Sequence, residues 1–519
     1  MMTEPQRGQP GTWRYLAFWR GDGDMDLKAT LGKMPSNDQD AAELIAAERP
    51  GELHHVPTIG RSGTWYIWNG KCHRPDDCAE AERLIMGYAA RADIVLGHCR
   101  QAAAAQEAAQ PEAASAGDVE KATAATWKKW DTPVKYHAGL KKTAGSRSLL
   151  AKLADLRGVS EEHMADRWPE HLNCANGIVS LRTGHLLPHD PRAMMTYCLP
   201  VPYVPGARCE RWEQLLWNVT GKNPEVAAYT VRMLGYSCLG DNREQLIFFM
   251  HGKTGSGKSQ VVEAVAGVLG PVAHSSGGAL ISRSRNERHA RVENSIAGKR
   301  LITIDESAER VRVDEGQVKR LTGAARISRN QLYAAVETPV RVSGTIWQAT
   351  NEMPTISGFD GAIKRRVRAV PCGSTIDEGA QEKKIAERLA RDEGEAILAS
   401  LVWGAMDYFA NGESRPAEVE LATAQYEAEQ NTAAAFREEC TMAVPDWNGD
   451  GHASWPTMAE IRKEYVAWCE ATRTSCMPKH AFNTAFRALP GIEYQESSRR
   501  FLHLTVIQSY IRGKVGQDD

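Results

Sequence analysis

The sequence predicts an α/β protein whose centre is a parallel sheet, with helical regions before it and a small helix-and-hairpin module at its C-terminal end. Three observations carry this. Apolar runs alternate with helical stretches across 241–375, the pattern of strands joined by crossover helices. A glycine-rich octapeptide, GKTGSGKS (252–259), stands between one such run and one such helix. An Ala-rich helical stretch covers about 394–440, and two short amphipathic helices with a hairpin pattern follow at 455–510.

The 519 residues, with 63 Lys+Arg against 65 Asp+Glu and a formal charge of −2, bound the rest. Such a chain has room for about three domains at ~150 residues each. An apolar fraction of 42% and a charged fraction of 25% exclude intrinsic disorder and collagen-like repeats. No run approaches the ~18 apolar residues that span a bilayer, and the polar MMTEPQRGQPG start lacks a signal-peptide core, so the expectation is a cytoplasmic protein of a bacterial host. The 11 cysteines form no C-x-x-C pair, and reduced, buried thiols are expected. His54, His55, Cys72, His73 and Cys78 fit no common zinc spacing. DWNGDG (446–451) opens like a calcium loop, but its twelfth position is Thr457 where a bidentate Glu is required.

Along the chain, 1–100 reads as an accessory α+β region with a strand around Trp65 and Trp68. Residues 101–118 read as an Ala-rich linker, 119–240 as a helical region with a turn-rich interruption at 176–191, and 241–395 as the sheet domain. A helical extension covers 396–454 and a winged-helix-like module 455–519. GDGDMD (21–26) offers paired acids without an apolar strand to hold them.

The octapeptide matches G-x-x-x-x-G-K-[ST] at every fixed position. The run from Leu246 to Met250 supplies the preceding strand, and Val261, Val265 and Val268 recur at helical spacing after it. Gly252, Gly255 and Gly257, with Ser256 between them, let the backbone curl and turn its N–H groups toward phosphate oxygens at a helix N-terminus. Lys258 is then expected at the β/γ-phosphates of ATP and the Ser259 hydroxyl on Mg²⁺. In LITIDES (301–307) a strand ends in adjacent acids. Asp305 is expected to hold Mg²⁺ while Glu306 polarises the attacking water. TIWQATN (345–351) ends in Asn351, suited to orienting that water or sensing the γ-phosphate. In GAIKRRVRAV (361–370), Lys364, Arg365, Arg366 and Arg368 read either as an arginine finger for a neighbour's nucleotide or as a solvated basic face.

With these elements in order, the chain resembles the superfamily 3 helicases, and within them the helicase half of phage and plasmid primase–helicases, a group similar to the poxvirus helicase-primase. The resemblance covers about 130–510. It includes LNCANGIVSLRTGHLLPHDPRAMMTYCLPVPY (172–203), GKRLITIDE (298–306), VKRLTG (318–323), ATNEMP (349–354) and AIKRRVRAVP (362–371). It implies a P-loop ATPase core of AAA+-like type with a helical N-terminal collar region and a small C-terminal winged-helix domain. It further implies a homo-oligomeric ring, commonly a hexamer, with ATP between subunits, working on single-stranded and forked DNA in replication alongside a primase or polymerase. On that resemblance Arg366, or failing it Arg365, is the finger. The segment 319–333 is the pore-facing element, with Lys319, Arg320, Arg326 and Arg329 on the DNA backbone. Gly323 is followed by Ala324 and Ala325 where relatives often carry an acid. The residues before 101 are too few for a catalytic primase, so primer synthesis is not expected of this chain. The stretch 282–300, with six Lys/Arg against two acids, adds to 319–329 and 364–368 as a basic channel for nucleic acid. Two other readings are an origin-binding initiator whose ATPase governs assembly on DNA, and a P-loop phosphotransferase acting on a small molecule.

Overall fold

The computed structural model describes residues 34–506 apart from 58–62, 109–127, 129–130, 161–163, 165–167, 283–294, 306–311, 324–325, 330–337, 358–360, 374–383, 431, 444–454, 473–475, 478, 497–498 and 503. GDGDMD, DWNGDG and Glu306 lie outside the described residues. Among them no helix is long and apolar enough to cross a membrane, and no group of three metal-ligating side chains forms. His73 instead sets its Nε2 against the Gly51 carbonyl at 2.7 Å.

The centre is a five-stranded sheet, all of it parallel: β1 (Ile247–His251), β2 (Ala273–Ser276), β3 (Leu301–Ile304), β4 (Thr345–Thr350) and β5 (Val367–Pro371), in the order β5-β1-β4-β3-β2. The expected α/β class is borne out. Strands such as IFFM and LITI are buried throughout because both faces are covered. Phe248, Met250, Trp347, Leu301 and Val370 meet one cluster, which includes α1 (Pro224–Tyr236), α2 (Lys258–Leu269) and α5 (Gly394–Asn411). Ile247, Phe249, Ile302, Ile304, Ile346 and Val367 meet the other, with α3 (Glu315–Thr322) and Tyr426 of α6 (Ala417–Gln430). A further helix, α4 (Ile385–Asp392), packs along α2. The rings of Phe248 and Trp347 stack at 4.3 Å across β1 and β4, and the Trp347 indole donates to Ser237 Oγ at 2.8 Å.

On the N-terminal side, helices Asp38–Glu48, Glu80–Ala108 and Thr143–Arg157 pack on an antiparallel sheet of Leu53–Val56, Thr64–Trp68 and His73–Pro75. The long helix is started by Asp76, whose carboxylate accepts from the Glu80 and Ala81 amides, and it continues into the alanine-rich 101–118 segment. The turn-rich stretch within 176–191 contributes to a three-stranded meander, His171–Cys174, Gly177–Ser180 and Leu186–Leu187. Its turns are the reversals between short strands, which is why they read as an interruption. Asn173 links the two sheets, donating to Lys71 O and Tyr197 O at 2.7 Å each.

At the C-terminal end, Phe436 of helix Thr432–Cys440 joins Tyr465 and Trp468 of Met458–Ala471 and Phe482 and Phe486 of Lys479–Arg487. A third helix, read from sequence as part of the extension, thus shares this core. The hairpin pairs Glu493–Gln495 with Arg500–Leu502, and Leu504–Val506 leaves it to pair with Thr441–Ala443. Arg499 sits at the turn with φ +55°, whereas Arg500 lies in a strand and turns its guanidinium to Trp455 O.

Candidate nucleotide site

All five strands point the same way, so their carboxyl ends share one edge, the side on which open α/β sheets bind ligands. The register β5-β1-β4-β3 brings three sequence-predicted tips together there. Thr350 pairs with His251, so Asn351 emerges beside the 252–259 loop, and Ile304 pairs with Gln348, so Asp305 emerges one strand further on. That β4 lies between the loop strand and the acidic strand is what makes Asn351 the loop's immediate neighbour.

The loop is shaped by its glycines. Gly257 has φ +90°, a left-handed conformation that lets α2 begin at Lys258. Gly252 runs so close to the neighbouring strand end that an added Cβ would fall 2.8 Å from Cys372 O. Cys372 follows β5, its amide donates to His251 O at 2.7 Å, and burial pushes its thiol up to about 12. It is a wall, not a nucleophile. Ser256 is buried, and Ser259 is the second residue of α2.

Lys258 is only 5% exposed. Its ammonium donates to Gly252 O at 2.8 Å, Lys253 O at 2.9 Å, Asn351 Oδ1 at 3.0 Å and Ser256 Oγ at 3.4 Å. A cation is thereby concentrated over the loop at the start of a helix, where the backbone dipoles also favour an anion. Asp305 is exposed and accepts from Ser275 Oγ at 2.6 Å. Glu263, on α2, has its carboxyl held above the ordinary range by desolvation and then by Asp305 and Glu387, so negative charge gathers at this part of the edge. Oxygen donors of the kind Ser259 and Asp305 offer suit a hard divalent cation such as Mg²⁺.

The arginines are placed differently from one another. Arg365 and Arg366 precede β5, at the amino-terminal edge of the sheet. The four-residue advance from Ile247 to His251, at ~3.3 Å per residue, separates them from the loop of their own copy. Arg366 is 6% exposed, and its guanidinium donates to Thr322 Oγ1 at 3.0 Å, Ala362 O at 2.7 Å and Gln245 Oε1 at 2.7 Å. Arg365 is exposed and touches Gln245 Oε1 at 3.3 Å. Of the two, Arg366 is thus engaged within its own chain, while Arg365 stands at the surface.

Of the basic residues expected to line a channel, Arg283, Arg285, Arg288 and Arg291 lie outside the described residues, and several of the others are engaged within the chain. Arg368 is buried in an ion pair with Glu413, its Nη2 donating to Oε2 at 2.9 Å, and Lys364 lies 3.6 Å from Glu427. Arg300 is fully buried, donating to Cys238 O at 2.5 Å and lying over the Tyr197 ring at 5.5 Å. Lys299 donates to Pro271 O at 2.6 Å. These side chains hold the domain together. Replacing Arg300 with alanine is expected to strip partners from buried carbonyls and cost about 3 kcal/mol of stability, read as a lowered midpoint in chemical denaturation.

Lys319 and Arg320 lie on α3, Lys319 3.3 Å from Glu315 and Arg320 donating to Gln317 Oε1 at 2.7 Å. Arg326 and Arg329 belong to strand Arg326–Arg329, antiparallel to Thr338–Arg341. In that register Arg326 faces Arg341, with Ile327 opposite Val340. A hairpin thus follows α3. Sequence reasoning missed Ser275, Cys372 and Gln245, which carry no motif, and passed over Thr322 within VKRLTG. Only their position at, or within two residues of, a strand or helix end marks them.

Residues 42–221 match the family described as D5 N terminal like. The match begins well before the 130–510 span of the resemblance and takes in the N-terminal sheet together with the meander. No curated protein matches the chain. Among solved structures it is similar to the apo structure of NrS-1 C terminal region (305–718), at 13% identity over 57% of this chain and 75% of that one with a TM-score of 0.33. It is also similar to the A form apo structure of NrS-1 C terminal region, at 10% identity over 59% and 78% with a TM-score of 0.30. At this overlap neither a residue's role nor an activity transfers from them.

Proposed function

We propose that this chain is an ATP-dependent DNA helicase of superfamily 3, serving replication of a phage or plasmid-like element as a ring-shaped oligomer. The observation that carries the reading is the convergence of the Lys258 loop, Asn351 and Asp305 on one edge of a parallel sheet, with the exposed Arg365 on the opposite edge. The family match at 42–221 supports a setting in phage-type replication proteins.

In this reading the triphosphate lies along 252–259, where charged phosphate oxygens are stronger acceptors for Lys258 than the carbonyls it now engages. Transfer of the ammonium to phosphate releases Asn351, which turns to the γ-phosphate or the attacking water. Ser259 and Asp305 would hold Mg²⁺, which when bound offsets phosphoryl charge. Glu306 takes the proton of that water as its oxygen attacks the γ-phosphorus and the bond to the β-phosphate oxygen breaks, yielding ADP and phosphate. Arg365 of an adjoining copy stabilises the charge on the transferring group. Lys319, Arg320, Arg326 and Arg329, on α3 and its hairpin, face the DNA backbone, and single-stranded or forked DNA is the substrate moved.

The test is ATP turnover with and without single-stranded DNA, together with the mass of the ATP-bound assembly. The reading requires turnover that rises with DNA and an oligomer. Glu306→Gln is expected to bind ATP with about wild-type affinity while turnover falls by at least about 10²-fold, the low end for a lost general base. Equilibrium nucleotide binding and steady-state hydrolysis separate the two.

A further inference from the structure

Helix α3 is held at both ends by the two places where a nucleotide would be felt. At its start, strand Arg312–Asp314 pairs in parallel with Thr355–Ser357, a segment only four residues beyond Asn351. Asp314 then caps the helix by accepting from the Gln317 amide at 3.0 Å. At its end, Thr322 is 1% exposed, and its hydroxyl donates to Val318 O at 2.6 Å while accepting from Arg366 Nε at 3.0 Å. Arg366 adjoins Arg365 in sequence, and both guanidiniums share one acceptor, Gln245 Oε1. Gln245 occupies a left-handed backbone conformation, φ +60°, which a non-glycine residue adopts at a cost. The strand carrying Arg326 and Arg329 follows Thr322 by four residues.

We propose that the Arg366–Thr322 hydrogen bond is a positioning link that ties the α3–hairpin unit to Arg365, so that the hairpin's engagement of DNA and the reach of Arg365 toward an adjoining nucleotide change together. Arg366 is thereby a positioning residue and does not touch phosphate. A shift of Arg365 pulls on Gln245, which Arg366 shares, and the Arg366 fork passes the displacement to the last turn of α3. Three acceptors on three separate segments suit the planar fork of arginine, and a lysine could not serve them at once. This inference rests on the hydrolase reading above, which supplies the nucleotide that Arg365 meets.

The test uses the full chain and two variants, Thr322→Val, which removes both hydroxyl bonds, and Thr322→Ser, which keeps them. ATP turnover is measured with and without a single-stranded oligonucleotide, and amide exchange over 319–329 is followed without nucleotide. Thr322→Val is expected to hold basal turnover within about twofold while its stimulation by DNA falls at least about fivefold, the lower range of coupling between sites. Exchange over 319–322 should quicken, with 252–259 unchanged, and Thr322→Ser should restore both. Undiminished stimulation in Thr322→Val, or a Ser variant no better than Val, overturns the link. Absence of turnover in the unaltered protein strikes the hydrolase reading instead, and unaltered exchange over 319–322 then overturns the link by itself.

Discussion

Replacing Lys258 with alanine is expected to lower ATP turnover by about 10³-fold, equivalent to about 4 kcal/mol of transition-state stabilisation. The ammonium is one of the few charged groups buried at the carboxyl edge of the sheet, where low dielectric magnifies its interaction with phosphoryl oxygens. In the present arrangement it also ties Gly252, Lys253, Ser256 and Asn351 together. Its loss therefore removes both the phosphate contact and the residue that organises the loop. ATP affinity should fall as well, whereas the denaturation midpoint should move little, because α2 is anchored by Val261, Val265 and Val268. Hydrolysis, binding and unfolding measured on one preparation separate these effects.

Arg365→Ala is expected to reduce turnover by about 10³-fold as well, the lower end for arginines that act on a transferring phosphoryl group. Here the cause lies across an interface. Arg365 and the loop of its own copy occupy opposite edges of the sheet, so in the proposed reading its guanidinium would act on another copy's nucleotide. ATP binding should thus survive the substitution while kcat falls, the mark of an interaction made mainly in the transition state. Being exposed and held by one long bond to Gln245, the side chain adds little to folding.

The loop, its strand and its helix were legible in the sequence because they are contiguous: eight residues at fixed spacing, an apolar run before and helical periodicity after. Asp305 and Asn351 were legible as strand tips for the same reason. What placed them side by side was not, since the insertion of β4 between β1 and β3 depends on pairings up to a hundred residues apart. Charge was the least transparent feature. Arg300, Arg366 and Arg368 sit in runs that read as a basic face, yet their partners, Cys238 O, Thr322 and Glu413, are 44 to 62 residues away in sequence and nothing local announces them. The sequence pattern carries the second strand of the C-terminal hairpin from Phe501 through Val506, whereas Leu504–Val506 is claimed by Thr441–Ala443, a distant strand that hairpin reasoning does not weigh.

The claim at the centre of this account is that each nucleotide is cleaved with one copy supplying the loop and another supplying Arg365. Mixing the Lys258→Ala and Arg365→Ala proteins, each inactive alone, tests it most directly. A mixed ring contains seams where an intact loop meets an intact Arg365, about one in four at equal proportions of a head-to-tail ring, so turnover should rise to a substantial fraction of the wild-type rate. A mixture no more active than the sum of its two components would contradict it.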